Sequence, residues 1–314
     1  MSPIRFFPIL VVSAALFLSA CKTSMPTEPV IAPPAVAQIV QPKALRHIKI
    51  GLALGGGAAR GFAHIGVIKA LESQGIVPDI VVGTSAGSLV GALYAAGNNG
   101  FALNKLALDM DEAAISDWAV PIFASSSGVL KGEALQNFVN KTLNNTPLEK
   151  LKIPFGVVAT DIHTGVPILF QRGNTGLAVR ASSAVPGIFQ PVKIGGHTYV
   201  DGGLVSPVPV RFAREMGADF LIAVNISAQP DAQQASSSLD VLLQTFAIMG
   251  QSISRYETAD ADIVIRPVTA ELPATDFAGR HRAVLEGEKA AAAAMTEIKD
   301  RLAKLRGKPA VEMR

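Results

Sequence analysis

Residues 48–61 read IKIGLALGGGAARG and residues 80–87 read IVVGTSAG. In each, an apolar run of strand length stops at glycine, and small residues follow that suit a tight turn leading into a helix. Ile48–Leu54 is apolar at nearly every position, as expected of a strand covered on both faces in a parallel sheet. Between the two stretches, Phe62–Gln74 carries apolar residues near helical spacing and Gly75 stops it. The result is a strand, helix, strand unit. Ser85–Ala96 continues it as a helix of small residues, broken by Gly97 through Gly100.

The alternation runs on downstream. Strands are expected at Phe155–Thr160, Val166–Gln171 and Phe220–Asn225, and helices at Leu135–Leu143 and Val208–Met216. Val192–Ile194 and His197–Val200 are separated by Gly195 and Gly196, a two-residue hairpin signal that delivers Asp201 at its far end. Leu239–Ala259 and Arg280–Leu305 read as helices, with Ile263–Arg266 a short strand between them. This pattern predicts an α/β layered fold with a central, mostly parallel sheet flanked by helices. The chain shows no internal repeat.

With 314 residues and 49% hydrophobic content, the chain can bury one full core, and residues 47–314 are read as one domain. Charged residues at 17% and aromatics at 6% fit neither a disordered acidic chain nor an aromatic surface for stacking bases. Nucleic acid is not an expected partner. The formal charge of +3 drops by one on removing residues 1–20, where Arg5 is the only charged side chain; so small a charge drives no strong electrostatic binding.

The N-terminus reads as a targeting segment. Arg5 precedes the apolar run Phe6–Leu18, which is short for a transmembrane span. Ser19, Ala20 and Cys21 follow, and small residues directly before a cysteine resemble the bacterial lipobox. Residues 1–20 are then a signal peptide and Cys21 carries lipid, anchoring the protein to a membrane; an ordinary cleaved signal is the alternative. Lys22 in place of aspartate implies outer-membrane sorting, and hence a lipid-anchored protein of the bacterial cell envelope. Cys21 is the only cysteine, which excludes an intramolecular disulfide and a thiolate zinc cluster. Residues 21–46, with five prolines from Pro26 to Pro42, have the composition of an extended tether.

Three short motifs carry the chemistry. Gly83, Thr84, Ser85, Ala86 and Gly87 lie between a strand and a helix, the context of a nucleophile elbow; the plainer reading is an N-cap serine between turn glycines. Gly55, Gly56 and Gly57, with Ala58, Ala59, Arg60 and Gly61, offer backbone amides to an oxyanion. A dinucleotide-binding loop would need glycine at Arg60 and an acidic residue after the second strand, and has neither. Asp201, Gly202 and Gly203 close the hairpin, and alone would be a simple Asp-Gly turn. No metal or cofactor is expected.

The ordered set GGGAARG, GTSAG, ASSAVPGIFQPV at Ala181–Val192, and DGG resembles the patatin-like phospholipases over roughly Ile48–Asn225. The resemblance implies a three-layer fold and a dyad without histidine that cleaves a lipid ester. Ser85 would be the nucleophile and Asp201 the base, with the Gly55–Gly57 amides as oxyanion hole and Arg60 close by. Where that family often has asparagine soon after the aspartate motif, Leu204–Pro207 contains Ser206. A histidine triad is the competing mechanism, and in chain order only His281 follows Asp201. A carboxylesterase or thioesterase with the same dyad, and a lipid-binding lipoprotein without turnover, are the competing functions. Trp118, Pro121, Phe123 and Val129–Leu130 read as a loop packing on the core or as a lid, and Asp161, ending a strand, either as a residue near the site or as a turn or capping residue.

Overall fold

Strand β1 (Ile50–Leu54) is buried along its whole length, and its alternate side chains enter two different cores. Ile50, Leu52 and Leu54 pack on one face of the sheet, whereas Ala53 packs on the other. Strand β7 (Phe220–Val224) divides likewise, with Phe220, Ile222 and Val224 against Leu221 and Ala223. Strands buried on both faces need cover on both, which is why their sequences do not alternate with polar residues. The computed structural model that shows this describes residues 47–109, 131–227, 237–269, 272 and 277–307. The chain divides into units Met1–Ala44 and Leu45–Arg314, and the described residues belong to the second. The signal segment, Cys21, the tether and the stretch from Trp118 to Leu130 lie outside the described residues.

The remaining strands are β2 (Ile80–Thr84), β3 (Phe155–Asp161), β4 (Pro167–Phe170), β5 (Val192–Ile194), β6 (His197–Asp201) and β8 (Ile263–Ile265). They form one sheet in the order β5-β6-β3-β2-β1-β7-β8, with β4 also paired to β3. From β8 to β3 every pairing is parallel; β4, β5 and β6 are antiparallel. The sheet is thus mostly parallel, as the strand, helix alternation requires. Gly195 and Gly196 join β5 to β6 with φ of 58° and 83°, the left-handed pair that a two-residue hairpin demands.

The helices are α1 (Phe62–Ser73), α2 (Ala86–Ala95), α3 (Gly100–Asp109), α4 (Glu133–Thr142), α5 (Thr175–Ser182), α6 (Val210–Glu215), α7 (Ser238–Glu257) and α8 (Arg280–Gly307). Buried residues of α1, α2, α3 and α8, such as Ile68, Leu93, Leu103 and Ile298, fill the larger core. Val210, Phe212 and Ala213 of α6 cover the opposite face of the sheet. A capping box of Ser237 and Asp240 starts α7. Among the described residues no helix is long and apolar enough to cross a membrane.

Two helices were not anticipated. Gly97 ends α2 with φ 103°, but Gly100 starts α3 instead of extending the break. Helix α5 is capped by Asn174, whose side chain accepts from the Leu177 amide, and it runs into the ASSAVPG stretch. Its sequence has too short a period to stand out.

Candidate active site

Strand β3 holds two other strands on one edge. β2 runs parallel to it and ends with Thr84 opposite Val158, and β6 runs antiparallel and ends with Asp201 opposite Ala159. β4 occupies the other edge from Val157 to Thr160, which forces β2 and β6 onto the same one. The two therefore meet end to end against consecutive residues of β3. Ser85 follows the last residue of one and Asp201 is the last residue of the other.

Ser85 adopts φ 52°, ψ −122°. This conformation costs a non-glycine residue about 1–3 kcal/mol and persists only where its surroundings hold it. Here the Ser85 amide donates to Ser182 Oγ at 2.8 Å, and the Ser182 hydroxyl donates to the Val158 carbonyl at 2.5 Å. The Ser85 carbonyl accepts from Ser88 Oγ at 2.6 Å. A Cβ on Gly83 would lie 2.4 Å from the Gly87 carbonyl oxygen, and one on Gly87 would lie 2.1 Å from that of Leu54. Both flanking glycines are thus required by the close approach of β1, β2 and the first turn of α2. Ser85 stands at the N-cap position of α2, yet its side chain makes no capping bond. That separates it from an ordinary capping serine and leaves its hydroxyl available at the positive end of the helix dipole.

Asp201 is buried, and its Oδ1 accepts from the Gly203 amide at 2.7 Å. Burial pushes its carboxyl up to about 6, opposed by the Gly203 amide and by the Ser85 hydroxyl, which lies close enough to stabilise the ionised form. Around it, the Asp201 amide donates to the Ala184 carbonyl at 3.0 Å, and Thr160 Oγ1 donates to the Asp201 carbonyl at 2.9 Å. Gly202 has no room for a side chain, since a Cβ would sit 2.3 Å from the Val158 carbonyl oxygen.

The glycine-rich loop lies alongside, and a Cβ on Gly56 would be 3.2 Å from that of Ser85. Its amides, however, are not equivalent. Gly55 donates to the Val224 carbonyl at 3.0 Å and Gly56 to that of Pro207 at 2.9 Å, so neither has a proton to spare for an oxyanion. The expectation of a Gly55–Gly57 donor set is corrected on this point. Among the described residues, the amides of Gly57, Ala58 and Ala86 have no acceptor. Ala58 has φ 50° and, apart from Ser85, is the one positive-φ residue among them that is neither glycine nor asparagine. Arg60 follows in the 3-10 turn Ala58–Gly61. Its Nε is buried without a partner, burial lowers its pKa, and no carboxylate among the described residues pairs with it.

An apolar cleft opens beside these groups. Ala58, Gly61 and Ala86, the last of them next to Ser85 in the chain, line it together with Leu89, Leu93 and Leu103 from α2 and α3. Its lining is almost wholly apolar, which matches a hydrocarbon group and offers almost nothing to a polar one.

A family model described as patatin-like phospholipase matches residues 52–214, more than half of the chain. The chain belongs to this family. An uncharacterized NTE family protein of Mycobacterium tuberculosis is 37% identical over 180 residues, covering 57% of this chain and 49% of its own length. Human patatin-like phospholipase domain-containing protein 6 is 34% identical over 190 residues, which are 58% of this chain and 14% of that protein. The chain thus spans half or less of these relatives. Among solved structures, VipD from Legionella pneumophila superposes with a TM-score of 0.52 at 14% identity, covering 81% of this chain and 68% of that one, a likeness of fold.

Within this patatin-like site, two further side chains act as positioning groups. Ser182, fully buried, bridges the Ser85 amide to β3; only the serine-rich stretch around it hinted at a role. His64 Nε2 donates to the Gly55 carbonyl at 2.8 Å, and burial lowers its pKa to about 4, so the ring is neutral and anchors the glycine loop. Among the described residues no histidine side chain bonds Ser85 or Asp201; His197 bonds Asp161, His47 bonds Asp79, and His281 is exposed on α8. The histidine triad has no support in this arrangement.

Proposed function

We propose that the protein is a serine acyl hydrolase that cleaves carboxylic esters of lipids through Ser85 and Asp201. The observation that carries this reading is the strained Ser85 set against a buried carboxylate of raised pKa, with an apolar cleft opening beside it. Asp201 takes the Ser85 proton as Oγ attacks the ester carbonyl carbon. The carbonyl electrons move onto oxygen, where the amides of Gly57, Ala58 and Ala86 stabilise the charge; each such donor is worth about 100 to 1,000-fold in rate. Collapse expels the alcohol, which takes its proton from Asp201 and leaves the acyl group on Ser85. Asp201 then activates water, the acyl group departs as the acid, and Ser85 regains its proton.

The apolar cleft supports a fatty acyl group as the part bound. A fungal relative from Coccidioides immitis, 35% identical over 184 residues, is named lysophospholipase NTE1, which makes a lysophospholipid the first natural substrate to try. From the small residues directly before Cys21 we propose in addition that the protein is held at a bacterial envelope membrane by lipid on Cys21. Fluorophosphonate labelling of the purified domain tests the nucleophile. Labelling should vanish in Ser85→Ala, and persistent labelling of that variant at another residue would overturn the assignment. For the anchor, incorporation of an alkynyl fatty acid should be lost in Cys21→Ser; incorporation that survives the change would refute it.

A further inference from the structure

A second carboxylate, half-buried, stands behind the site. Glu257, the last residue of α7, accepts the Ser206 hydroxyl on Oε1 at 2.5 Å and the Val208 amide on Oε2 at 3.2 Å. The segment it grips is bonded to all three parts of the site. The Ser206 carbonyl accepts from Thr84 Oγ1 at 2.9 Å, one residue before the nucleophile. The Ser206 amide donates to the Gly202 carbonyl at 2.9 Å, one residue after the aspartate, and the Pro207 carbonyl accepts from the Gly56 amide at 2.9 Å, one residue before Gly57. Ser206 is completely buried, and among the described residues Glu257 is the one acceptor its hydroxyl has.

We infer that Glu257 is a positioning residue, which through Ser206 and Val208 sets the mutual placement of Ser85, Asp201 and the Gly57–Ala58 amides. The inference rests on the acyl hydrolase reading given above. A carboxylate suits the task because it only accepts, with two oxygens that meet two donors on adjacent stretches of one loop. An aliphatic side chain of the same bulk would fill the space and leave both donors unsatisfied. Burial pushes the Glu257 carboxyl up to about 7, against the opposing pull of Ser206, Val208 and the Arg211 guanidinium. That is the cost of placing an acceptor there, and it is out of keeping with a residue that merely ends a helix.

The test is the rate of fluorophosphonate labelling, with kcat and KM for p-nitrophenyl butyrate, in Glu257→Ala, Glu257→Gln, Ser206→Ala and the Ser206→Ala/Glu257→Ala double variant. Thermal melts of each check the fold. Displacing the three groups by about 1 Å is expected to slow labelling and kcat by about 10 to 100-fold in Glu257→Ala, with KM changed less than about threefold. Glu257→Gln should stay within about threefold of the parent, because its carboxamide oxygen accepts from Val208 and its amide donates to Ser206 Oγ. The double variant should be no slower than Glu257→Ala alone, since both changes cut one link. Labelling at the parental rate in folded Glu257→Ala overturns the inference, as does a loss that only tracks the unfolded fraction. If Glu257→Ala does not fold, Ser206→Ala decides, with about tenfold slower labelling expected and an unchanged rate refuting the link. A parent that never labels overturns the acyl hydrolase reading and this inference together. A parent that labels while every Glu257 variant matches it overturns this inference alone.

Discussion

Asp161 and Asp201 end neighbouring strands of the same sheet, and each has 7% of its surface exposed. Their chemistry is opposite. Asp161 sits at the rim, where Oδ1 accepts from the amides of His163 at 2.9 Å and Thr164 at 3.1 Å, and Oδ2 meets His197 Nδ1 at 2.8 Å. Those donors, His197 first, hold its carboxyl below the ordinary value. Asp201 lies deep, with the Gly203 amide and the Ser85 hydroxyl as its only counterweights, and burial wins. Coverage of a carboxylate therefore does not decide its role. The supply of donors does: a well-served carboxylate is a settled ion, and a poorly served one keeps its appetite for a proton.

The largest effect should come from removing the base. Asp201→Asn should slow ester hydrolysis and fluorophosphonate labelling by about 100 to 10,000-fold, the range of general base catalysis; a loss of similar size in Asp161→Asn would erase the contrast. Next is the pH profile. A base titrating near 6 predicts that kcat/KM falls about tenfold per pH unit below 6 and levels above 7, and a profile flat down to pH 5 would show that Asp201 is not the group that takes the proton.

Stability should move the other way. Because the folded state holds the Asp201 proton more tightly than the unfolded chain does, the cost of its charge is absent below 3.8, grows with pH, and is complete above about 6. Asp201→Asn should therefore be more stable than the parent at pH 7.5, by at most about 3 kcal/mol, with the gain gone at pH 3.5 in urea titrations. Asp161→Asn should show the smallest effect on activity, less than twofold. Its depressed carboxyl stabilises the fold above the unfolded pKa and ceases to do so as pH falls through the folded one, so this variant should be less stable at neutral pH and indistinguishable from the parent in acid. Melting curves at the two pH values check it.

Much of this was legible in the sequence because local rules were enough. The run before Gly55, the glycines around Ser85 and the Gly195–Gly196 hairpin are each set by their neighbours, and the structure keeps them. What escaped depends on residues far away in the chain. Which glycine amides are free follows from the carbonyls of Val224 and Pro207, and the strain at Ser85 is held by Ser182. Ser206 stood out only as a departure from the family's asparagine, and its partner Glu257 lies some fifty residues on. Hydrogen-bond accounting of this kind has no period and no motif.

The seam on β3 makes that strand a ruler. Nucleophile and base are measured against Val158 and Ala159, and the chain between them only has to return. Extra residues in the connection after α4 would lengthen the path and leave the gap as it is. One residue inserted between Val158 and Ala159 would move the base along by about 3.3 Å and turn it to the other side of the sheet. Natural or engineered length variation in this protein should therefore gather in its loops and spare the middle of one strand.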